Sequence, residues 1–154
     1  PRLAGWWGHD KASRFRMESG FRPIPGAEGW QLSNPPILSL AAIRASLDVF
    51  GEAGGMKPLQ EKSLQLTGYL EKLLEHELAG SIEILTPREP DRRGSQLSLR
   101  VKSSRSGRSV FERLEGAGVM CDWREPDVIR AAPVPLYNRY EEVYRFVQIL
   151  KGAV

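Results

Sequence analysis

At Gly80 the hydrophobic period of the chain changes from helical spacing to strand alternation, which restricts the fold to one that joins helices to a sheet. Upstream, Ile37, Leu40, Ala41, Ala45, Leu47, Val49 and Phe50 recur at helical spacing after Pro36. They predict a buried helix to near Ala53, ended by Gly54-Gly55. A second helix is expected from near Pro58, a good first-turn residue, to near Leu78. Leu59, Leu66, Tyr69, Leu70, Leu73 and Leu74 mark its apolar side. Downstream, residues 81–86 (SIEILT) and 96–101 (QLSLRV) alternate and read as strands around a charged loop at 87–94. Residues 107–115 (GRSVFERLE) read as a short helix that stops at Gly116-Ala117-Gly118. Residues 119–122 and 128–132 read as short strands around the turn Glu125-Pro126-Asp127, and 133–136 as extended chain. The last helix is expected to be capped by Asn138, with Glu141 three residues later reaching back to the cap's own N–H. Val143, Phe146, Val147 and Leu150 then face the core. The order loop, helix, helix, β, β, α, β, β, α predicts an α/β chain. Its C-terminal part should form a small α+β sandwich with helices on one face of an antiparallel or mixed sheet.

Residues 1–35 follow neither period. They carry Gly5-Trp6-Trp7-Gly8-His9, Pro23-Ile24-Pro25-Gly26 and the start of Ser33-Asn34-Pro35-Pro36. Three of the chain's four tryptophans fall here, too many for a disordered tail, so the segment is expected to be ordered but irregular. It needs a surface to pack against, which is expected to lie outside this chain.

Composition narrows the function classes. Hydrophobic residues at 41% and charged residues at 27% suit a soluble domain that buries a core. The apolar runs fall short of the roughly 18 residues that a membrane helix needs. The 22 basic and 19 acidic residues are interleaved, without the clustering that a nucleic-acid footprint requires. The densest basic stretch, Lys102 with Arg105 and Arg108 among serines, reads as a solvated loop. Cys121 is the sole cysteine, which excludes an internal disulfide and argues against zinc and CxxC redox sites. That usage fits a reducing, cytoplasmic setting. No basic stretch after Pro1 leads into an apolar run, so neither a signal nor a transit peptide is expected, and a fragment of a longer protein is. No GxSxG, P-loop, HExxH or GxGxxG occurs, and no self-contained catalytic constellation emerges.

A series of motifs then carries a resemblance. Gly5-Trp6-Trp7-Gly8-His9 is followed by Arg14-Phe15-Arg16-Met17, Ile24-Pro25-Gly26 and Ser33-Asn34-Pro35-Pro36-Ile37-Leu38. Leu66-Thr67-Gly68-Tyr69-Leu70, Arg93-Gly94-Ser95-Gln96-Leu97 and Gly118-Val119-Met120-Cys121-Asp122 come next. Ile129-Arg130-Ala131-Ala132-Pro133-Val134-Pro135-Leu136-Tyr137-Asn138 closes the series. Each is weak alone, but together, in this order, they resemble kynureninase along essentially the whole chain.

The resemblance implies the C-terminal part of a fold-type I PLP-dependent transferase-like fold. Residues 1–35 would end the large cofactor-binding domain and lie at or near a homodimer interface, residues 36–79 would be connecting helices, and residues 80–154 the small α+β domain. It implies pyridoxal 5'-phosphate (PLP) as cofactor and hydrolysis of L-kynurenine or 3-hydroxykynurenine to anthranilate or 3-hydroxyanthranilate plus L-alanine. The pathway would be tryptophan catabolism and NAD biosynthesis. The family's Schiff-base lysine, its neighbouring tyrosine and the aspartate that pairs with the pyridine nitrogen lie upstream of Gly5-Trp6-Trp7-Gly8-His9. No lysine here matches that motif, so this chain alone is expected to be inactive.

The resemblance also assigns roles. Trp6 matches the tryptophan that contacts the cofactor phosphate, for which an indole N–H is a pure donor. Asn34 matches the asparagine that reaches phosphate and substrate, and it also precedes Pro35-Pro36 as a turn residue. Arg130 matches the arginine that holds the substrate α-carboxylate, which a guanidinium fork fits bidentately. Trp7 and His9 resemble residues lining the substrate ring, and the His9 imidazole either hydrogen-bonds the substrate or orients its loop. The competing readings are another fold-type I enzyme, such as a cysteine desulfurase relative, and a non-catalytic α/β module that binds a partner through its basic loop.

Overall fold

The computed structural model describes residues 2–16, 18–103 and 105–154. Pro1, the Met17 of Arg14-Phe15-Arg16-Met17, and Ser104 of the basic loop lie outside the described residues. The chain divides into two compact units, Pro1–Val49 and Phe50–Val154.

In the first unit, short 3-10 turns at Trp6–Gly8 and Ala27–Trp30 precede α1 (Ile37–Glu52), most of which belongs to this unit. The expected helix is present, but the expectation of burial fails: no residue of α1 is buried. Leu38 is 87% exposed and Ile37 72%. Periodicity marks which side of a helix is apolar, but burial needs a surface to receive it, and the described residues bury none of this helix.

The second unit holds α2 (Met56–Glu77), β1 (Ile82–Ile84), β2 (Leu97–Val101), α3 (Gly107–Gly116), β3 (Asp122–Arg124), β4 (Val128–Ala131) and α4 (Tyr140–Ala153). The sheet order is β1-β2-β4-β3, antiparallel throughout. Leu66, Leu70 and Leu74 of α2 meet Val110 and Leu114 of α3 and Val143, Val147 and Leu150 of α4 in one core, with Leu97, Leu99, Ile129 and Ala131 from the sheet. Burying each large aliphatic side chain contributes about 1.5–3 kcal/mol before the entropy of ordering it is counted. Because strand side chains alternate, Ser98, Arg100, Arg130, Asp122 and Arg124 belong to the opposite, polar face of the sheet.

Arg93-Gly94-Ser95-Gln96-Leu97 ties the loop before β2 to α2. Arg93 Nη1 donates to Glu71 Oε2 at 2.5 Å, and the Ser63 and Ser95 hydroxyls share a hydrogen bond of 2.8 Å.

The first strand is shorter than expected, Ile82–Ile84 within 81–86, and the second begins one residue late, at Leu97. Two further boundaries also differ from the sequence expectation. The third strand begins at Asp122 rather than at 119, because closing the hairpin pairs Asp122 with Arg130 and Arg124 with Val128. The last helix is capped one residue later than expected. Asn138 Oδ1 accepts from the Val134 N–H at 2.7 Å and so closes the preceding turn. The helix starts instead from Arg139, whose N–H donates to Glu142 Oε2 at 2.8 Å. That charge-assisted bond holds the Glu142 carboxyl below the usual range, with Asn138 adding a second hydrogen bond. Among the described residues, no helix is long and apolar enough to cross a membrane.

Candidate functional site

The glycines of Gly5-Trp6-Trp7-Gly8-His9 let two stretches of backbone approach closely. A Cβ on Gly5 would lie 2.1 Å from the Leu32 carbonyl oxygen, and one on Gly8 2.5 Å from that of Gly29. The Ile24 N–H donates to Gly8 O at 2.8 Å, and the Asp10 N–H to Arg22 O at 2.7 Å. These contacts bring the tryptophan pair beside Ser33-Asn34-Pro35-Pro36. The Trp7 indole N–H donates to Asn34 Oδ1 at 2.6 Å. Since the amide oxygen is taken, the two N–H bonds of Asn34 Nδ2 remain as donors. The Arg14 guanidinium lies 4.9 Å from the Trp7 ring centroid and donates to the carbonyls of Trp7 (3.0 Å) and His9 (3.3 Å). A cleft of about 500 Å³ is lined here by Trp7, Lys11, Arg14, Glu28, Gln31 and Asn34, among others. Its two cations outnumber its one carboxylate, which suits an anionic ligand.

Trp6 and His9 do not line this cleft. Trp6 is 60% exposed and stands edge-on to Phe15, ring centroids 5.4 Å apart. The His9 ring packs against Phe21 at 5.5 Å, with Nε2 3.2 Å from Ser13 Oγ. Ser13 Oγ spends its proton on Asp10 Oδ2 at 2.7 Å, so His9 Nε2–H is the donor to Ser13 and Nδ1 is left as the second ring nitrogen. The Ser13 hydroxyl, joined by the Ser13 N–H, holds the Asp10 carboxyl below its ordinary range.

Arg130 stands in the second unit, on β4, directly opposite Asp122 on one neighbouring strand and Ser98 on the other. Its Nε donates to Asp122 Oδ2 at 2.6 Å, and its Nη2 donates to the same oxygen. Arg124 Nε lies 3.1 Å from that oxygen as well. Burial, reinforced by Glu115 and Asp122, pushes the neighbouring Cys121 thiol up to about 11, so it stays neutral.

Trp7 and Asn34 are thus brought into contact, whereas Trp6 and His9 face other partners. Two residues beside the expected ones were not singled out from sequence. Arg14 gave no signal beyond its motif. Asp122 was recoverable, since the expected hairpin places it across from Arg130 once its register is known.

Comparison with known proteins agrees with the motifs. A family model described as the kynureninase C-terminal domain matches residues 59–150. Kynureninase of Stenotrophomonas maltophilia (strain K279a) is 62% identical over 149 residues, covering 96% of this chain and 35% of that protein. Kynureninase of Xanthomonas euvesicatoria pv. vesicatoria (strain 85-10) is 60% identical over the same length, with the same coverage. The chain therefore spans about a third of the length of these curated relatives.

Among solved structures, the cystine C-S lyase C-DES in complex with cysteine persulfide superposes with a TM-score of 0.75 at 18% identity, covering 98% of this chain and 38% of that one. The apo cysteine desulfurase of Thermococcus onnurineus NA1 gives a TM-score of 0.67 at 17% identity, covering 99% and 38%. At such identities the likeness is one of fold, and the fold is that of the corresponding part of fold-type I PLP enzymes. With the family model matching more than half of this chain's residues, the chain belongs to the kynureninase family.

Proposed function

We propose that the full-length protein containing this chain is a PLP-dependent kynureninase. It hydrolyses L-kynurenine or 3-hydroxykynurenine to anthranilate or 3-hydroxyanthranilate and L-alanine. The observation that carries this reading is identity near 60% over 96% of the chain to proteins named kynureninase. The structural neighbours that act on cysteine or cystine share under 20% identity and support no substrate.

The residues present fit the cofactor. The Asn34 amide donors, with Lys11 and Arg14 around the same cleft, match the needs of a phosphate, and the largely exposed Trp6, outside that cleft, carries an indole N–H as a further donor. When bound, PLP supplies an electron sink for negative charge at the substrate Cα. This chain's part is grip: Trp6 and Asn34 for the phosphate, Arg130 for the α-carboxylate, and Trp7, His9 and Asn34 around the substrate ring. Holding the carboxylate restricts rotation of the substrate about its Cα, a positioning effect. The Schiff-base lysine is supplied by the upstream part of the enzyme, so this chain alone is inactive.

The proposal extends to the organisation of the protein. Residues 1–35 end the large domain at a homodimer interface, residues 36–79 connect, and residues 80–154 form the small domain. The exposed aromatics Trp6, Phe15 and Trp30 support an interface at residues 1–35. The setting is cytoplasmic, in tryptophan catabolism and NAD biosynthesis.

The test is to supply the full-length protein with PLP and either L-kynurenine or L-cysteine. Anthranilate fluorescence should grow with kynurenine. Release of sulfur from cysteine without any anthranilate from kynurenine would overturn the reading.

A further inference from the structure

We propose that Asp122 is a positioning residue for Arg130: it takes one edge of the guanidinium and leaves the other to the substrate carboxylate. The inference rests on the carboxylate-binding reading of Arg130. A guanidinium presents two donor pairs: a side edge made of Nε and one Nη, and an end made of both Nη nitrogens. Asp122 Oδ2 accepts from Nε and Nη2, which is the side edge. Nη1 makes no hydrogen bond among the described residues, and the second hydrogen of Nη2 points along the same end. One intact fork therefore remains for a second, bidentate carboxylate.

The register makes this grip rigid. Asp122 and Arg130 are paired across β3 and β4, so two hydrogen-bonded strands hold the carboxylate and the guanidinium. Charge is also in order. Arg124 and Arg130 share the single Asp122 carboxylate, so the cluster of three keeps a net positive charge and still attracts an anion. With a side chain 31% exposed, Arg130 is neither sealed off nor freely solvated. Without Asp122, the long side chain would sample several rotamers and meet the substrate carboxylate in the right one only part of the time.

The experiment uses the full-length holoenzyme. Asp122→Ala should raise KM for L-kynurenine about tenfold, while kcat changes about twofold or less and PLP affinity stays the same. Inhibition by L-alanine compared with L-alaninamide supplies a readout that a merely structural role would not move. The preference for the carboxylate over the amide should fall about tenfold in the variant. Asp122→Asn keeps one side-chain oxygen as acceptor and should give an intermediate loss of about threefold, and it carries the test if the alanine variant does not fold. An unchanged KM and an unchanged acid-over-amide preference, in a background where Arg130→Ala destroys both, would overturn the positioning role. If Arg130→Ala itself leaves both unchanged, the carboxylate reading of Arg130 fails instead.

Discussion

Replacing Arg93 by Met tests what anchors the long loop before β2. The Arg93 side chain is 5% exposed and that of Glu71 12%, so their 2.5 Å ion pair is largely removed from water. Removing one partner of a buried pair costs about 3–5 kcal/mol, because the other charge is stranded. Glu71 has a reserve partner in Arg88 Nε at 3.6 Å, on a side chain 72% exposed. An exposed ion pair recovers only about 0.2–1 kcal/mol, so Arg93→Met should cost about 3 kcal/mol. With a urea m-value of about 2 kcal/mol/M, the unfolding midpoint should fall by roughly 1.5 M. Helix circular dichroism of this chain in a urea titration measures that shift. Adding Glu71→Leu should restore stability to within about 1 kcal/mol, since the apolar pair also removes Arg93 Nε, a buried donor without a partner among the described residues. A midpoint shift below about 0.3 M for Arg93→Met would refute the argument, as would a double variant no better than the single one.

Gly8→Ala should disrupt the opening segment, because its Cβ would press on backbone rather than on a side chain that can yield. A loss of about 1–3 kcal/mol is expected, together with weaker cofactor retention in the full-length protein. Gly116→Ala, at the end of α3 where the added carbon meets nothing within 4 Å, is the control that should lower neither. The start of α4 should depend on pH through Glu142. Its folded-state pKa is depressed, so its contribution is complete above the unfolded carboxylate value, about 4.3, and is lost as pH falls through the folded value. Protection of the first-turn amides of α4 against hydrogen exchange, taken relative to the intrinsic rate at each pH, should therefore fall as pH drops through the folded-state value, and Glu142→Gln should abolish that dependence.

How much was legible in the sequence varied with the range of the forces involved. Helix and strand character in the second unit came through because it depends on near neighbours, as the spacing of Leu66, Leu70 and Leu74 illustrates. The cap at α4 was misplaced by one residue because Asn138 and Arg139 compete for the same helix start. That contest was decided by the Val134 N–H claiming the Asn138 oxygen. The apolar side of α1 was readable, but its exposure was not, since burial belongs to a surface and not to a pattern.

The candidate site divides in the same way. Sequence alone determined the residue types: paired tryptophans between glycines, an asparagine before two prolines, and an arginine within a strand. Only tertiary structure decided that Trp7 rather than Trp6 meets Asn34, and that the Arg130 guanidinium already has a carboxylate on one edge. The Trp7–Asn34 contact spans 27 residues, and the Arg130 pair depends on the register of a hairpin. Neither follows from local preference. Folding brings such groups together through long-range packing, which no short window of residues encodes.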